Sequence, residues 1–236
     1  MPLLTLITPT GGRPEAFALC ERFMSRQTFI DWEWIVVDDC LPLTDCTMGQ
    51  TVLHPKPLWE AGGGSTQNRN LLLALTRVQS DFVAVIEDDD YYGPEYLETL
   101  CGHLKEVVIF GETPSRYYNV RHRMCRSMAA NRHASLCQTG FRVELTPMVQ
   151  EACQLNRETD VFLWSRIHAE HVSSRLCVGN HVVGIKGMPG RGGVGMGHYP
   201  QTRPSRWTDD PQLRVLRDWI GEDSKLYTDY YARNSA

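Results

Sequence analysis

The most chemically distinctive feature of the sequence is a run of four acidic residues, Glu87, Asp88, Asp89 and Asp90. Adjacent carboxylates repel one another, and a bound cation removes that cost. Carboxylate oxygens favour Mg²⁺ or Mn²⁺, ions that also bind phosphates. The run therefore predicts a site for a divalent metal and a nucleotide. The alternative is structural: Asp90 caps the helix that follows, and the other carboxylates are solvated at a turn.

Each of three short apolar runs in the first half is followed by polar residues. Residues 3–7, 34–37 and 82–86 have the length and composition of buried strands. The polar groups that follow them are, in order, Thr8 with Thr10 and Arg13, Asp38 with Asp39, and residues 87–90. The three groups are the candidate ligand-binding residues of this half.

Helices are predicted between these strands. Pro14 and Pro94 each precede an apolar pattern with helical spacing, and Ser65 is the predicted N-cap of a helix that follows a glycine run. Alternating strands and helices predict an α/β fold with a Rossmann-like, mainly parallel sheet flanked by helices on both faces. Ligands of such sheets bind outside the carboxyl ends of the strands, so the three polar groups are predicted to meet in one crevice.

The second half is less regular. Residues 116–145 are predicted to be extended, and helices are predicted over 147–155, 160–168 and 211–220. Seven glycines between residues 184 and 197 predict a mobile loop that carries Lys186 and Arg191 and leads to His198. No repeat or linker divides the sequence, so we expect one domain over residues 1–236.

Charge is distributed unevenly. The 236 residues include 24 Lys and Arg and 28 Asp and Glu, for a formal net charge of −4. Residues 113–143 contain no acidic residue and carry +6, which leaves −10 on the remainder. The arginines of this window are Arg116, Arg121, Arg123, Arg126, Arg132 and Arg142. Because the guanidinium fork suits phosphate, the window indicates an anionic partner such as nucleic acid; alternatively, these arginines pair with the acidic surplus elsewhere.

Composition excludes several classes of protein. The hydrophobic fraction of 42% is typical of a globular protein. No apolar run approaches the ~18 residues of a membrane span, and the first residues lack the pattern of a signal peptide. Eight cysteines without a CxxC pair favour reduced, buried thiols over a disulfide framework or a zinc site. We therefore expect a cytoplasmic protein.

Four segments, in order, resemble family 2 glycosyltransferases with the GT-A fold. Residues 4–10 with 13–15 resemble the family's opening strand and loop, and residues 25–39 resemble its second-strand signature. Residues 68–70 are similar to its Ala-Arg-Asn element, and residues 82–97 are similar to its DxD strand and the helix that follows. The resemblance implies a nucleotide-sugar-binding half over 1–110. It also implies an acceptor-binding half over 111–236, with the glycine-rich loop at 184–198.

The resemblance also implies roles for individual residues. Asp38 or Asp39 would receive the nucleobase, Arg69 would approach the base or a phosphate, and Asp89 matches the second carboxylate of the DxD motif. Glu87 stands where that motif usually has its first Asp, so its role differs from the family pattern. The implied donor-binding residues are Thr8, Thr10, Arg13, Asp38, Asp39, Arg69, Asp88, Lys186 and Arg191, and the implied metal ligands are Glu87, Asp89, Asp90 and His198.

Residues 160–167 resemble the segment that follows the family's acceptor-side Glu-Asp pair. Thr159 replaces the Glu, whereas Asp160 keeps the position of the catalytic base. A general base must take the proton of the acceptor hydroxyl as its oxygen attacks the anomeric carbon, which gives inversion. Glu158 is the reserve candidate for this base. The structural alternative is that Asp160 only caps the helix that follows.

The expected function is therefore metal-dependent glycosyl transfer from a nucleotide-sugar, with a UDP-sugar as donor and Mn²⁺ or Mg²⁺ as cofactor. In this view Lys186 and Arg191 offset the charge of the leaving diphosphate, and the glycine-rich loop excludes water. The arginine window suits an anionic acceptor such as hydroxymethylated DNA, which some phage enzymes glycosylate by reaching an extruded base. The alternatives are a glycan-building glycosyltransferase, a sugar nucleotidyltransferase and a non-catalytic nucleotide-sugar-binding module.

Overall fold

The computed structural model describes residues 1–129, 132–155, 158–193 and 206–232. The strands are β1 Leu4–Thr10, β2 Trp32–Asp38, β3 Thr51–Leu53, β4 Phe82–Val85, β5 Tyr91–Tyr92, β6 Ile109–Thr113, β7 Ser115–Asn119, β8 Met124–Met128, β9 Thr139–Arg142, β10 Ser174–Val178, β11 Val182–Lys186 and β12 Thr208–Asp209. The α-helices are α1 Pro14–Met24, α2 Gln67–Leu75, α3 Tyr96–Leu104, α4 Thr146–Gln154, α5 Thr159–Ala169, α6 Arg214–Ile220 and α7 Asp229–Ala232. Short 3₁₀ helices cover Leu136–Gln138, Val143–Leu145 and Gly221–Tyr227.

The larger sheet has seven strands in the order β10-β6-β9-β4-β1-β2-β3. The pairs β1–β2, β1–β4, β2–β3 and β6–β10 are parallel, whereas β9 runs antiparallel to both β4 and β6. The prediction of a mainly parallel sheet is confirmed. Because β1, β2 and β4 are mutually parallel neighbours, their carboxyl ends lie at one edge of the sheet.

Helices cover both faces of this sheet, as alternation along β1 requires. Leu6 packs with Phe17 of α1 on one face, and Ile7 packs with Leu71 of α2 on the other. All four side chains are at most 2% exposed. Successive residues of a strand point to opposite faces, so a continuous apolar run such as β1 is buried from both sides.

A second sheet, in the order β12-β8-β7-β11-β5, lies next to the acidic run. β5 begins directly after Asp90, and β11 pairs with β5 and with β7. The predicted glycine-rich loop therefore begins later than expected, because residues 184–186 belong to β11. Gly184 is buried there, and a Cβ at this position would lie 2.6 Å from Cδ1 of Tyr117. This close packing of β11 on β7 requires a glycine.

Three helix starts differ from the sequence-based predictions. Ser65 is not an N-cap: α2 is preceded by Thr66, whose hydroxyl bonds elsewhere. Asp160 lies in the first turn of α5, and Glu158 holds the N-cap position. The helix predicted over 211–220 begins only at Arg214. Among the described residues, every helix is too short or too polar to cross a membrane.

Candidate active site

A cleft of about 980 Å³ opens at the carboxyl ends of β1 and β4, facing the second sheet. Most sequence-predicted site residues line it: Thr10, Arg13, Glu87, Asp88, Asp89, Asp90, Glu158, Asp160, Lys186 and Arg191. His198 lies outside the described residues. The ends of β1 and β4 thus meet in one large cleft, whereas Asp38 and Asp39 at the end of β2 are buried outside its lining, so the predicted convergence holds for two of the three strand ends.

Two positively charged side chains contact the acidic run. Arg13 Nη1 lies 2.8 Å from Asp88 Oδ1 and 3.1 Å from Asp89 Oδ2. Lys186 Nζ lies 3.3 Å from Asp90 Oδ1, and this lysine is only 4% exposed. Two positive charges therefore face four carboxylates, which leaves a formal charge of −2. This residual charge fits one divalent cation, as the sequence predicts.

Burial makes the carboxyl groups of this run reluctant to ionise. It raises the pKa of Glu87 to about 8, with repulsion from Asp90 as a further cause. It raises the pKa of Asp88 to about 6, although Arg13 acts in the opposite direction. The pKa of Asp90 is also raised by burial, against the attraction of Lys186. A bound cation would stabilise the ionised forms in place of protons.

Glu87 and Asp90 form a compact donor group with Cys137. One ligand atom from each of the three residues lies within 4.8 Å of the others. Asp90 Oδ2 is buried and accepts no hydrogen bond from an N–H or O–H group within the described part of the chain, while the Cys137 thiol is hydrogen-bonded to the Asp90 carboxyl group. Asp89 instead faces Arg13. The structure thus brings together two of the predicted metal ligands and adds a thiol for which the sequence offered no local signal.

Asp39 is completely buried beside the cleft rather than exposed in it. Its oxygens accept hydrogen bonds from Arg191 Nη1 at 2.8 Å, Arg69 Nη2 at 3.0 Å and Asn70 Nδ2 at 2.9 Å. The Thr66 hydroxyl also donates to it. Two of the predicted donor-binding residues, Arg69 and Arg191, therefore contact Asp39 directly.

The planar Arg191 guanidinium contacts Trp59, Asp39 and Thr66. Its guanidinium carbon lies 4.2 Å from the centre of the Trp59 ring, and its Nη2 donates to Thr66 Oγ1 at 2.8 Å. Its backbone is held against the β1–α1 loop, because Arg191 N donates to Gly12 O at 3.0 Å and Arg13 Nε donates to Arg191 O at 2.7 Å. Segment 187–193, which carries Arg191, is thus docked on the rim of the cleft.

Thr8 and Asp38 support the strand ends and do not line the cleft. Thr8 Oγ1 accepts a hydrogen bond of 2.8 Å from Trp34 Nε1. Asp38 accepts backbone hydrogen bonds from Cys40 at 3.1 Å and Thr44 at 2.5 Å. Both are 0% exposed. The expectation that Thr8 lines the nucleotide pocket is wrong, because Thr8 is buried and absent from the lining of the cleft. Asp38 and Asp39 are equally buried outside that lining, and they differ in that Asp39 is paired with two arginine side chains.

Asp160 lines the same cleft as the acidic run and lies in the first turn of α5. Its Oδ1 accepts a hydrogen bond of 2.9 Å from Val161 N. Burial raises the pKa of Asp160, while the Val161 amide and the neighbouring His133 act in the opposite direction. Glu158, the reserve candidate, is exposed. Asp160 is thus a partly desolvated carboxyl group in the cleft, which is the environment of many general bases.

The arginine window is divided among several tasks. Arg142 donates to Leu104 O at 2.7 Å and to Lys105 O at 2.8 Å, which satisfies carbonyls at the end of α3. Further members also make intramolecular contacts: Arg123 donates to Pro211 O at 2.7 Å, and the Arg116 guanidinium lies 5.8 Å from the centre of the Trp219 ring. Arg121 and Arg132 are exposed, and Arg121 borders a smaller cavity of about 200 Å³.

Comparison with known proteins gives a partial relative. No protein-family model matches the chain. WcaA of Escherichia coli (strain K12), provisionally named a colanic acid biosynthesis glycosyl transferase, is 26% identical over an alignment of 118 residues, and the alignment covers 45% of this chain and 39% of WcaA. The chain therefore spans well under half of this relative.

Solved structures extend the likeness to most of the chain. TarS of S. aureus superposes with a TM-score of 0.57 at 15% identity, covering 77% of this chain and 36% of TarS. The fold is of the GT-A type. Residues 1–349 of TarS in complex with UDP give a TM-score of 0.55 at 15% identity, covering 77% of this chain and 60% of that fragment. The mannosyltransferase PcManGT of Pyrobaculum calidifontis, in complex with GDP-Man and Mn²⁺, gives a TM-score of 0.54 at 14% identity, and the superposition covers 80% of this chain and 57% of PcManGT.

Proposed function

We propose that this protein is a glycosyltransferase that moves a sugar from a nucleotide-sugar to an acceptor hydroxyl with the help of a divalent cation. One observation carries the proposal: the acidic run with its residual charge of −2 and the carboxyl group of Asp160 line the same cleft. The relationship to WcaA and the fold shared with UDP- and GDP-Man-binding proteins support it.

The nucleotide part of the donor would bind where Arg191 now lies. Asp39 offers a buried carboxylate for the polar edge of a base, and Trp59 offers a ring face for stacking. Arg69 is bonded to the same carboxylate and would keep it oriented. Donor binding therefore requires Arg191 to leave Asp39, and segment 187–193 moves with it.

The diphosphate would lie over the acidic run. Glu87 and Asp90 are the carboxylates that would hold a divalent cation, which would neutralise charge on the leaving diphosphate when bound; Asp89 would have to leave Arg13 to join them. Thr10 holds Asp88 through a hydrogen bond of 2.7 Å. Lys186 Nζ lies 3.3 Å from Asp90 Oδ1, so we propose that Lys186 orients this carboxylate and adds positive charge near the diphosphate.

Asp160 would act as the general base on the acceptor side. The acceptor oxygen attacks the anomeric carbon from the face opposite the diphosphate as the bond between that carbon and the phosphate oxygen breaks. The hydroxyl proton passes to the Asp160 carboxylate, and the nucleoside diphosphate leaves. This single displacement inverts the anomeric configuration.

We propose a sugar hydroxyl of a growing glycan as the acceptor, supported by the relative WcaA. Hydroxymethylated DNA is the second candidate, and the exposed arginines Arg121 and Arg132 favour it. The commitment of Arg142 and Arg123 to backbone carbonyls leaves fewer charges for a duplex than the sequence indicates. A DNA acceptor would bring strong salt dependence, because each phosphate contact releases counterions.

The decisive experiment is a donor screen for release of nucleoside diphosphate. The purified protein is incubated with UDP-, GDP- and other nucleotide-sugars, each with Mn²⁺, Mg²⁺ or a chelator, and with oligosaccharide or hydroxymethylated DNA as acceptor. We expect metal-dependent release with one class of donor. Asp160→Asn should abolish most of it, and Glu158→Gln, a matched change two residues away, should not. Absence of both release and a donor-dependent thermal shift would reject the proposal.

A further inference from the structure

The donor group beside the acidic run is unusual because it contains a sulfur. Cys137 lies in the 3₁₀ helix Leu136–Gln138, directly before β9. β9 pairs with β4, the strand that ends at the acidic run, so the fold carries Cys137 to Glu87 and Asp90. The Tyr96 hydroxyl donates to Cys137 O at 3.1 Å and fixes the backbone at this point. Cys137 is 3% exposed, so the thiol is held in one place.

The two carboxylates of the group each have one oxygen engaged by the protein. Asp90 Oδ1 accepts from Ile185 N at 2.9 Å and from Lys186 Nζ at 3.3 Å. Glu87 Oε1 accepts from Gln67 Nε2 at 3.1 Å. Asp90 is 1% exposed, and its Oδ2 accepts no hydrogen bond from an N–H or O–H group among the described residues; the Cys137 thiol is hydrogen-bonded to the Asp90 carboxyl group. A metal ion that replaces the thiol proton would lie between these two groups and would also contact the oxygen that lacks an N–H or O–H donor.

The charges of the group also match a divalent cation. Two carboxylates and a thiolate carry −3, and Lys186 on Asp90 returns +1. These three ligands with Lys186 therefore carry −2, which one divalent ion balances, and Asp88 and Asp89 with Arg13 leave a further −1 beside them. Hard cations such as Mg²⁺ prefer oxygen ligands, whereas a thiolate favours softer ions such as Zn²⁺.

We propose that Cys137 is a direct ligand of the divalent cation, together with Glu87 and Asp90, and that the site consequently prefers a thiophilic transition metal to Mg²⁺. On binding, the thiol loses its proton to solvent and a sulfur–metal bond forms, without any change of oxidation state. The inference rests on the cation of the proposed function. It departs from an all-oxygen acidic motif because it adds a sulfur ligand from the 3₁₀ helix Leu136–Gln138, 47 residues beyond Asp90.

Cobalt reports this bond directly. The full chain is purified without metal and titrated with Co²⁺, and the near-ultraviolet sulfur-to-cobalt charge-transfer band is recorded. We expect the band in the wild-type protein, together with a larger thermal shift for Co²⁺ or Zn²⁺ than for Mg²⁺. A wild-type protein that binds Co²⁺ without the band would overturn the proposal, and this result depends on no variant.

Two matched variants assign the sulfur. Cys137→Ser should lose the band and bind Co²⁺ at least about tenfold more weakly, since even outer-shell partners contribute about 10–100-fold to metal affinity. Cys153→Ser removes another buried thiol, in α4, and should keep both the band and the affinity. Circular dichroism checks the fold of each. A band that persists in Cys137→Ser belongs to another cysteine and rejects the assignment.

The outcome is separable from that of the donor screen, because the cobalt titration needs no donor. A cobalt–sulfur band without turnover on any donor would reject glycosyl transfer and retain the Cys137 ligand. Turnover without the cobalt–sulfur band would retain glycosyl transfer and reject the Cys137 ligand.

Discussion

Arg13 is the residue whose removal best tests the electrostatics of the cleft. Its guanidinium bridges Asp88 and Asp89 at 2.8 and 3.1 Å, and its side chain is 16% exposed. Arg13→Met keeps most of the apolar stem and removes the charge. Both carboxylates are then left without this partner, while their own side chains stay at most 5% exposed.

The expected cost follows from this burial. Removing one partner of a buried ion pair costs about 3–5 kcal/mol because the remaining charge is uncompensated. Arg13, Asp88 and Asp89 line the cleft, so water can reach the two carboxylates once the guanidinium is gone, and we expect about 3 kcal/mol, near the lower limit of this range. For a chain of this size that corresponds to a fall in Tm of about 6–12 °C.

The assay is urea denaturation at neutral pH in the presence of a chelator, repeated with a divalent cation. The cation should stabilise Arg13→Met more than the wild-type protein, because it replaces part of the missing charge. Arg22→Met, an exposed arginine in α1, the helix that begins directly after Arg13, is the control and should stay within about 0.5 kcal/mol of wild type. A loss below about 1 kcal/mol in Arg13→Met would refute the view that this guanidinium neutralises the acidic run.

Three further predictions concern other parts of the molecule. Asp160→Asn should lower kcat by about 10²–10⁴-fold with donor affinity unchanged. In the wild-type protein the rate should fall on the acidic side as Asp160 is protonated, at a pH above the usual pKa of an aspartate because burial raises the pKa of Asp160, and the variant should lack this fall. Asp210→Ala should cost about 2–4 kcal/mol in urea denaturation, since Asp210 accepts three backbone N–H bonds at the start of α6 and one from a buried tyrosine hydroxyl; Asp218→Ala, exposed on the same helix, is its control. His181 donates to Glu112, which raises the pKa of the imidazole, so this pair stabilises the fold fully below about pH 6.5 and less as pH rises through the folded-state value.

Each of these has a result that contradicts it. Unchanged kcat in Asp160→Asn would transfer the role of base to another group. Equal stability of the Asp210 and Asp218 variants would show that the cap of α6 contributes little. A His181→Gln variant whose stability keeps the wild-type dependence between pH 6 and 8 would exclude His181 as its source.

The sequence was sufficient to predict the strands that consist of a continuous apolar run. Residues 34–37 and 82–86 predict β2 and β4 because both runs are buried on two faces and end at acidic residues. β9 was not predicted as an antiparallel strand between β4 and β6, because its position depends on long-range pairing. Gly140 in that strand lies against Leu100, where a Cβ would come within 2.7 Å, and this contact is invisible in sequence.

The same distinction applies to the site. The acidic run and Asp160 were predicted as candidate site residues, and the fold places them in one cleft. Cys137 was not, because its contribution depends on the pairing of β9 with β4. The contact between Arg191 and Asp39 joins residues 152 positions apart, and no spacing rule connects them.

The contact of Arg191 with Asp39 and Trp59 has a kinetic consequence. If a base is to bind Asp39, the guanidinium must first give up two hydrogen bonds of 2.8 Å and its ring contact. Nucleotide capture is then a two-step process in which departure of segment 187–193 precedes tight binding. The observed association rate will rise with nucleotide concentration and level off at the departure rate, and shortening the Arg191 side chain will raise that plateau.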